Sequence, residues 1–401
     1  MTTRARAFGI LLLLGGGFLL AAGITFTLLY LATPFSYQGP DLLVTNLTIA
    51  SVAAMGLLFG ITLTHHARNV LKARPSAKFQ PPSPRRLTAV FFVCLIIGQL
   101  MLSTTSSSRL IPLVFPLLHI AAAMAPSLAV LAFVGRRTRS ASWRTVSLEL
   151  SHGALLAPVG ALLAELVVIL TLILAVAVVV ILAPGGVESL MQLSRNLQDP
   201  SWLEDPENLA RLVLSPAALA VIVAVFVVFA PLIEEFFKGL GVLLLGPRLR
   251  AQGEALLWGV ACGAGFALTE SLFNGSIALE GWGAIMLMRW GASLMHCVSS
   301  GIAGLGWHQA LVSKRPWHLL AAYAAASGIH ALWNALAVTV ALTSLVLVTR
   351  PGDATAQAFA GAVVAGAIGL LFALSISMAL VMRRLSRRAA EVTPEQNLTQ
   401  E

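Results

Sequence analysis

The chain has 401 residues, of which 58% are hydrophobic and 11% charged, and its mean hydropathy is +0.86; a soluble globular chain carries about 25% charged residues. That composition excludes a soluble multidomain protein and predicts an all-α polytopic bundle, because apolar runs long enough to cross a bilayer recur from end to end. The net charge of +9 sits in short clusters between those runs, which argues against nucleic acid as a partner and for the lipid bilayer.

In chain order the apolar runs predict about ten spans: 8–32, 42–64, 87–103, 110–134, 154–184, 213–246, 255–278, 282–311, 317–346 and 358–382. The first, behind Arg4 and Arg6, is too long for a signal peptide and is closed by no small-residue cleavage site, so it is expected to be retained. If both termini are cytoplasmic, most of the 26 basic residues fall on that side, at Arg4–Arg6, Arg68–Arg86, Arg136–Arg144, Arg248–Arg250, Lys314–Arg315 and Arg383–Arg388. The region near 65–86, with Pro75, Pro81, Pro82 and Pro84, reads as a basic extended linker. On the opposite side, 185–212 is an acidic outer loop carrying Glu188, Asp199, Glu204, Asp205 and Glu207. Three blocks follow: 1–212 with five helices, a four-helix core at 213–346, and 347–401 with the last helix, a basic segment and a polar tail from Glu391. Cys94, Cys262 and Cys297 fall inside spans and are expected to be packing residues rather than a disulfide or zinc framework. Trp258, Trp282, Trp307 and Trp317 read as interfacial anchors.

An ionisable side chain in mid-membrane costs roughly 2.5–3.5 kcal/mol on insertion scales, so each one is a functional candidate. The first half offers Glu165 and His119, whereas 213–346 holds Glu234, Glu235, Lys238, Glu270, Arg289, His296 and His330. Glu234, Glu270, His296 and His330 lie at a similar depth, roughly 20 Å from the cytoplasmic ends of four successive spans at ~1.5 Å per residue. Lys238 is i+4 from Glu234 and i+3 from Glu235, so one ammonium can neutralise part of the paired carboxylates. Pro231 just before the pair is expected to bend its helix and free a backbone carbonyl. His330 and Asn334 share a helix face, which lets Asn334 either orient the imidazole or bind a substrate peptide group. Arg289 is expected to snorkel or pair.

Carboxylate oxygens and imidazole nitrogens are zinc ligands, and a catalytic zinc takes three such ligands with a water in the fourth position while a nearby glutamate serves as base. The commonest H-E-x-x-H zinc signature is absent, as are G-x-S-x-G and the Gly-rich phosphate loops.

The segments Glu234-Glu235-Phe236-Phe237-Lys238, Phe266-Ala267-Leu268-Thr269-Glu270 and His330-Ala331-Leu332-Trp333-Asn334 resemble the EExxK, FxxxE and HxxxD/N motifs of the PrsW family of intramembrane metalloproteases. The His296 segment, with Ser300 and Gly304 after it, is similar to the histidine-bearing helix between the last two motifs. The family is distantly similar to the CAAX-processing and bacteriocin-immunity proteases. The resemblance covers about 213–346. It implies an endopeptidase of the bacterial inner membrane that cuts membrane-anchored proteins in regulated signalling. It also implies Glu234 or Glu235 as the base, Lys238 holding that pair, Asn334 at the site, and Glu270, His296 and His330 as ligands of a divalent metal, zinc by its donor set. Ser271 stands where the family often has asparagine, and five spans precede the core.

The same carboxylates and histidines would also serve a proton- or cation-coupled transporter. Transporters commonly show two related halves, whereas here the polar residues are confined to one half. A scaffold that keeps the fold without activity would be expected to have lost motif residues, and none is lost.

Overall fold

The computed structural model describes residues 3–37, 39, 41–104, 110–138, 141–275, 279–350 and 352–391; the polar tail beyond Glu391 lies outside the described residues. Among these, helices account for the regular structure, and the sole β feature is an isolated bridge between Lys78 and Ser142. Hydrocarbon offers a backbone no hydrogen-bond partner, so an apolar chain of this kind satisfies its amides within helices.

The helices are α1 (Thr3–Ser36), α2 (Leu42–Leu71), α3 (Pro84–Leu102), α4 (Ile111–Thr138), α5 (Trp143–Ser151), α6 (Ala157–Leu182), α7 (Gly186–Leu197), α8 (Pro200–Glu204), α9 (Pro206–Val213), α10 (Pro216–Val223), α11 (Ala230–Leu245), α12 (Gln252–Asn274), α13 (Trp282–Leu311), α14 (Pro316–Thr349) and α15 (Ala354–Glu391). Wide π turns at His152–Leu156 and Ala224–Phe229 join α5 to α6 and α10 to α11. Among the described residues nine helical stretches are long and apolar enough to cross a membrane. One of them is the continuous run Trp143–Leu182, so this span begins well before the expected 154.

The expected span 282–311 forms as α13 but is not among the nine. Ser293, His296, Ser299 and Ser300 lower its hydropathy, and all four are buried. A helix whose surface meets protein need not be apolar all round. The acidic stretch 185–212 is not a plain loop: it folds into α7, α8 and most of α9, the last two opened by Asp199 and Asp205 side chains that accept from the Ser201 and Glu207 amides.

The chain divides into two compact units. The first comprises 1–158, 238–323 and 378–401, the second 159–237 and 324–377. In the first unit α12 is buried along most of its length. Gly263 permits this: a Cβ there would stand 2.3 Å from the backbone oxygen of His296. Small residues of this kind let helix backbones approach closely in a membrane bundle. Trp258 and Trp282 are 1% and 0% exposed, so neither is an interfacial anchor. The Trp282 indole donates to His119 Nδ1 at 2.9 Å, and His119 Nε2–H in turn donates to the Leu272 carbonyl at 3.0 Å. A tryptophan buries fully where its N–H finds an acceptor, and His119 supplies one. Cys262 and Cys297 are buried thiols, as expected of packing residues.

In the second unit the π turn Ala224–Phe229 ends just before Pro231. Proline lacks the N–H that would close the ordinary helical ladder, and a wide turn is one way a helix accommodates it. The Phe226 carbonyl in that turn accepts from Asn334 Nδ2 at 2.9 Å.

Gly263→Ala is expected to force α12 and α13 apart and lower stability by about 1–3 kcal/mol. Gly17→Ala, on α1 where an added Cβ meets nothing within 4 Å, is expected to be neutral or stabilising. Thermal unfolding of the two purified variants in one detergent checks the contrast.

Candidate active site

α11 carries three of the expected site residues within two turns, and it runs across the junction of the two units between Phe237 and Lys238. Glu234, Glu235 and Lys238 are 7%, 1% and 1% exposed. Charged groups so placed must be paired or hydrogen-bonded, since an isolated buried charge costs far more than a helix can repay.

In the second unit Glu234 and Glu235 both face His330 of α14, which is itself buried. His330 Nδ1 lies 3.1 Å from Glu235 Oε1. A carboxylate only accepts, so Nδ1–H is the donor and a neutral ring leaves its lone pair on Nε2. That Nε2 stands 3.7 Å from Glu234 Oε2, beyond a direct hydrogen bond. Asn334, one turn further along α14, points its amide at the Phe226 carbonyl rather than at the imidazole. The alternative left open by its spacing is thereby narrowed: the side chain holds the π turn from which the glutamate pair emerges.

In the first unit Lys238 Nζ lies 3.0 Å from His296 Nδ1 and 4.4 Å from the centre of the Phe266 ring. An ammonium has no lone pair, so it donates and Nδ1 accepts, and the ring proton sits on Nε2. Nε2–H meets Glu270 Oε2 at 2.6 Å. Arg289 reaches the same oxygen at 2.8 Å and the Ser271 hydroxyl at 3.2 Å. Ser271, where the resembled family often has asparagine, thus accepts from the arginine that neutralises Glu270. Arg289 pairs rather than snorkels.

The two clusters repeat one arrangement, an imidazole with one nitrogen on a carboxylate. Metal-ligating histidines have this arrangement, because the carboxylate fixes the tautomer and ring orientation. Imidazole nitrogens and carboxylate oxygens, the groups each cluster holds, are the ligand types that a divalent metal such as zinc takes.

Sequence reasoning passed over Glu149. Its carboxylate is 1% exposed, neither oxygen has a hydrogen-bond partner among the described residues, and a Cβ on Gly241 would stand 2.4 Å from Oε2. The signal available was the Glu149-x-x-His152 spacing, which places both on one helix face. It was masked by the polar stretch from Ser142 to Ser151, which reads as a connection.

A family model described as PrsW family intramembrane metalloprotease matches residues 143–352. The match takes in both clusters and begins where α5 begins, ahead of the 213–346 region that carries the motifs. No curated protein and no solved structure matches the chain.

Arg289 and Glu270 share a partly buried ion pair within one hydrogen-bonded network. In a double-mutant cycle with Arg289→Gln and Glu270→Gln, thermal stability is expected to show a coupling of about 1–3 kcal/mol, whereas independent sites add within about 0.5 kcal/mol. Simple additivity would mean that the pair is ornamental.

Proposed function

As a member of the PrsW family of intramembrane metalloproteases, the chain is a membrane-embedded peptidase, and we propose that it hydrolyses a peptide bond of a membrane-anchored protein through the residues of α11–α14. Carrying the proposal is the pairing of each buried histidine with a carboxylate, Glu235 with His330 and Glu270 with His296. The proposed ligands are His330, His296 and Glu270. A divalent metal held there, zinc in this reading, would lower the pKa of bound water and polarise a carbonyl.

The chain's own groups then divide the work. Glu235, committed to His330 Nδ1–H, is a positioning residue. Glu234, one position away with its Oε2 3.7 Å from His330 Nε2, is the general base: it takes the proton of the attacking water and returns it to the departing amine. Lys238 holds charge balance on the helix bearing both carboxylates, with the Phe266 face supporting its ammonium. Asn334 keeps the wide turn before Pro231 in place. Arg289 orients Glu270.

Family membership favours hydrolysis over the transport that the same groups would also serve. The proposed setting is the bacterial cytoplasmic membrane, with both termini in the cytoplasm and regulated signalling as the context.

Profiling of new protein N-termini in membranes from cells expressing the wild type or Glu234→Gln tests this reading. Cleavages within or beside apolar segments of membrane-anchored proteins are expected with the wild type and to fall about 100-fold or more in the variant. Identical profiles from two well-folded proteins would remove the peptidase assignment of this site.

A further inference from the structure

Away from the site, the first unit contains a cavity of about 490 Å³ whose walls include Phe8, Val70, Pro75, Arg74, Arg144 and Arg248. Three arginines from three separate segments face one space, and no carboxylate is among its lining residues. None of the three forms an ion pair among the described residues, and the Arg248 guanidinium lies 5.9 Å from the centre of the Phe8 ring in the same wall. Like charges gathered round a cavity repel one another unless an anion sits between them.

The cavity is built, not merely lined. Arg144 Nη2 donates to the Arg74 carbonyl at 2.7 Å and the Arg144 backbone amide donates to the Ser76 hydroxyl at 3.0 Å, so the guanidinium is held in place. Its Nε is buried and has no hydrogen-bond partner among the described residues. Ala73, also in the wall, has φ +50°, a left-handed conformation unusual for a residue with a side chain, and its amide and that of Arg74 close the end of α2 onto Val70 and Asn69. The positive N-terminal ends of α1 and α5 also lie here, through Ala5 and Arg144. Planar guanidinium groups suit the oxygens of a phosphate, and the apolar walls at Phe8, Val70 and Pro75 suit the remainder of an amphiphile. By the distribution of basic residues, this end of the unit is the cytoplasmic one, the depth at which phospholipid headgroups lie.

We propose that Arg74, Arg144 and Arg248 form a binding site for an anionic phosphate group, with an anionic phospholipid headgroup as its source in the membrane. The full-length protein in neutral detergent is titrated with phosphatidylglycerol, with phosphatidylcholine, and with inorganic phosphate at matched ionic strength, and its unfolding temperature is followed. The wild type is expected to show a saturable rise with phosphatidylglycerol, and Arg144→Gln/Arg248→Gln to need about tenfold more lipid for the same rise. Arg74→Gln, at an exposed position whose side chain makes no hydrogen bond among the described residues, supplies the comparison if the double variant does not fold. An arginine-dependent rise with inorganic phosphate as well would support the site with free phosphate as an occupant, and a rise with the lipid alone would assign the headgroup. No rise with either probe, or equal rises in wild type and variants, would overturn the proposal.

Discussion

Lys238 is a buried ammonium in a chain that is 58% hydrophobic, and the arrangement of the surrounding helices answers to that fact. Removing one partner of a buried charge pair commonly costs about 3–5 kcal/mol, because the charge left behind has no water to turn to. The ammonium is met by an imidazole nitrogen and an aromatic face, and the other imidazole nitrogen is met by a carboxylate that an arginine neutralises in turn. On the same helix, Glu234 and Glu235 face a second imidazole. Each unit thus holds one imidazole–carboxylate pair beside a residue of α11: His330 with Glu235 in the second, and His296, met by Lys238, with Glu270 in the first.

That constraint explains features which would otherwise look like faults in the helices. α12 can lie against α13 because Gly263 lets backbone meet backbone, which places the Glu270 helix against the His296 helix. The wide turn before Pro231 frees a carbonyl that Asn334 then occupies, so a break in the ladder is repaired by a side chain from α14. His119 ties the end of α12 to the start of α13 through Leu272 and Trp282, giving the first block a bracing part in the geometry of Glu270 and Arg289. Each device costs local regularity and contributes position.

Much of this was legible from residue types alone. Apolar length marked the helices, and ionisable residues inside apolar runs marked Glu234, Glu235, Lys238, Glu270, His296 and His330, because burial of such groups is too costly to be incidental. Partners were less legible. Spacing along a helix reports i to i+4 neighbours, so it paired Lys238 with the glutamates, whereas the contact to His296 comes from another helix. For the same reason it left Asn334 open between two roles and missed the seat of Arg289 on Glu270. Hydropathy failed in the other direction at Trp143–Ser151, where a helix packed against protein carries polar residues that a lipid-facing one would not. Trp282 shows the same limit: an amphipathic side chain reads as interfacial until the acceptor that buries it is seen.

The central claim is that the paired histidines are ligands and Glu234 is not. Metal content of the purified full-length protein tests it most directly, measured beside Glu234→Gln, Glu270→Gln and His330→Ala variants of verified fold. About one divalent metal per chain in the wild type and in Glu234→Gln, lost from the other two, is the predicted result. A well-folded wild type with no specific metal, or loss of metal in Glu234→Gln with retention in Glu270→Gln, would contradict it.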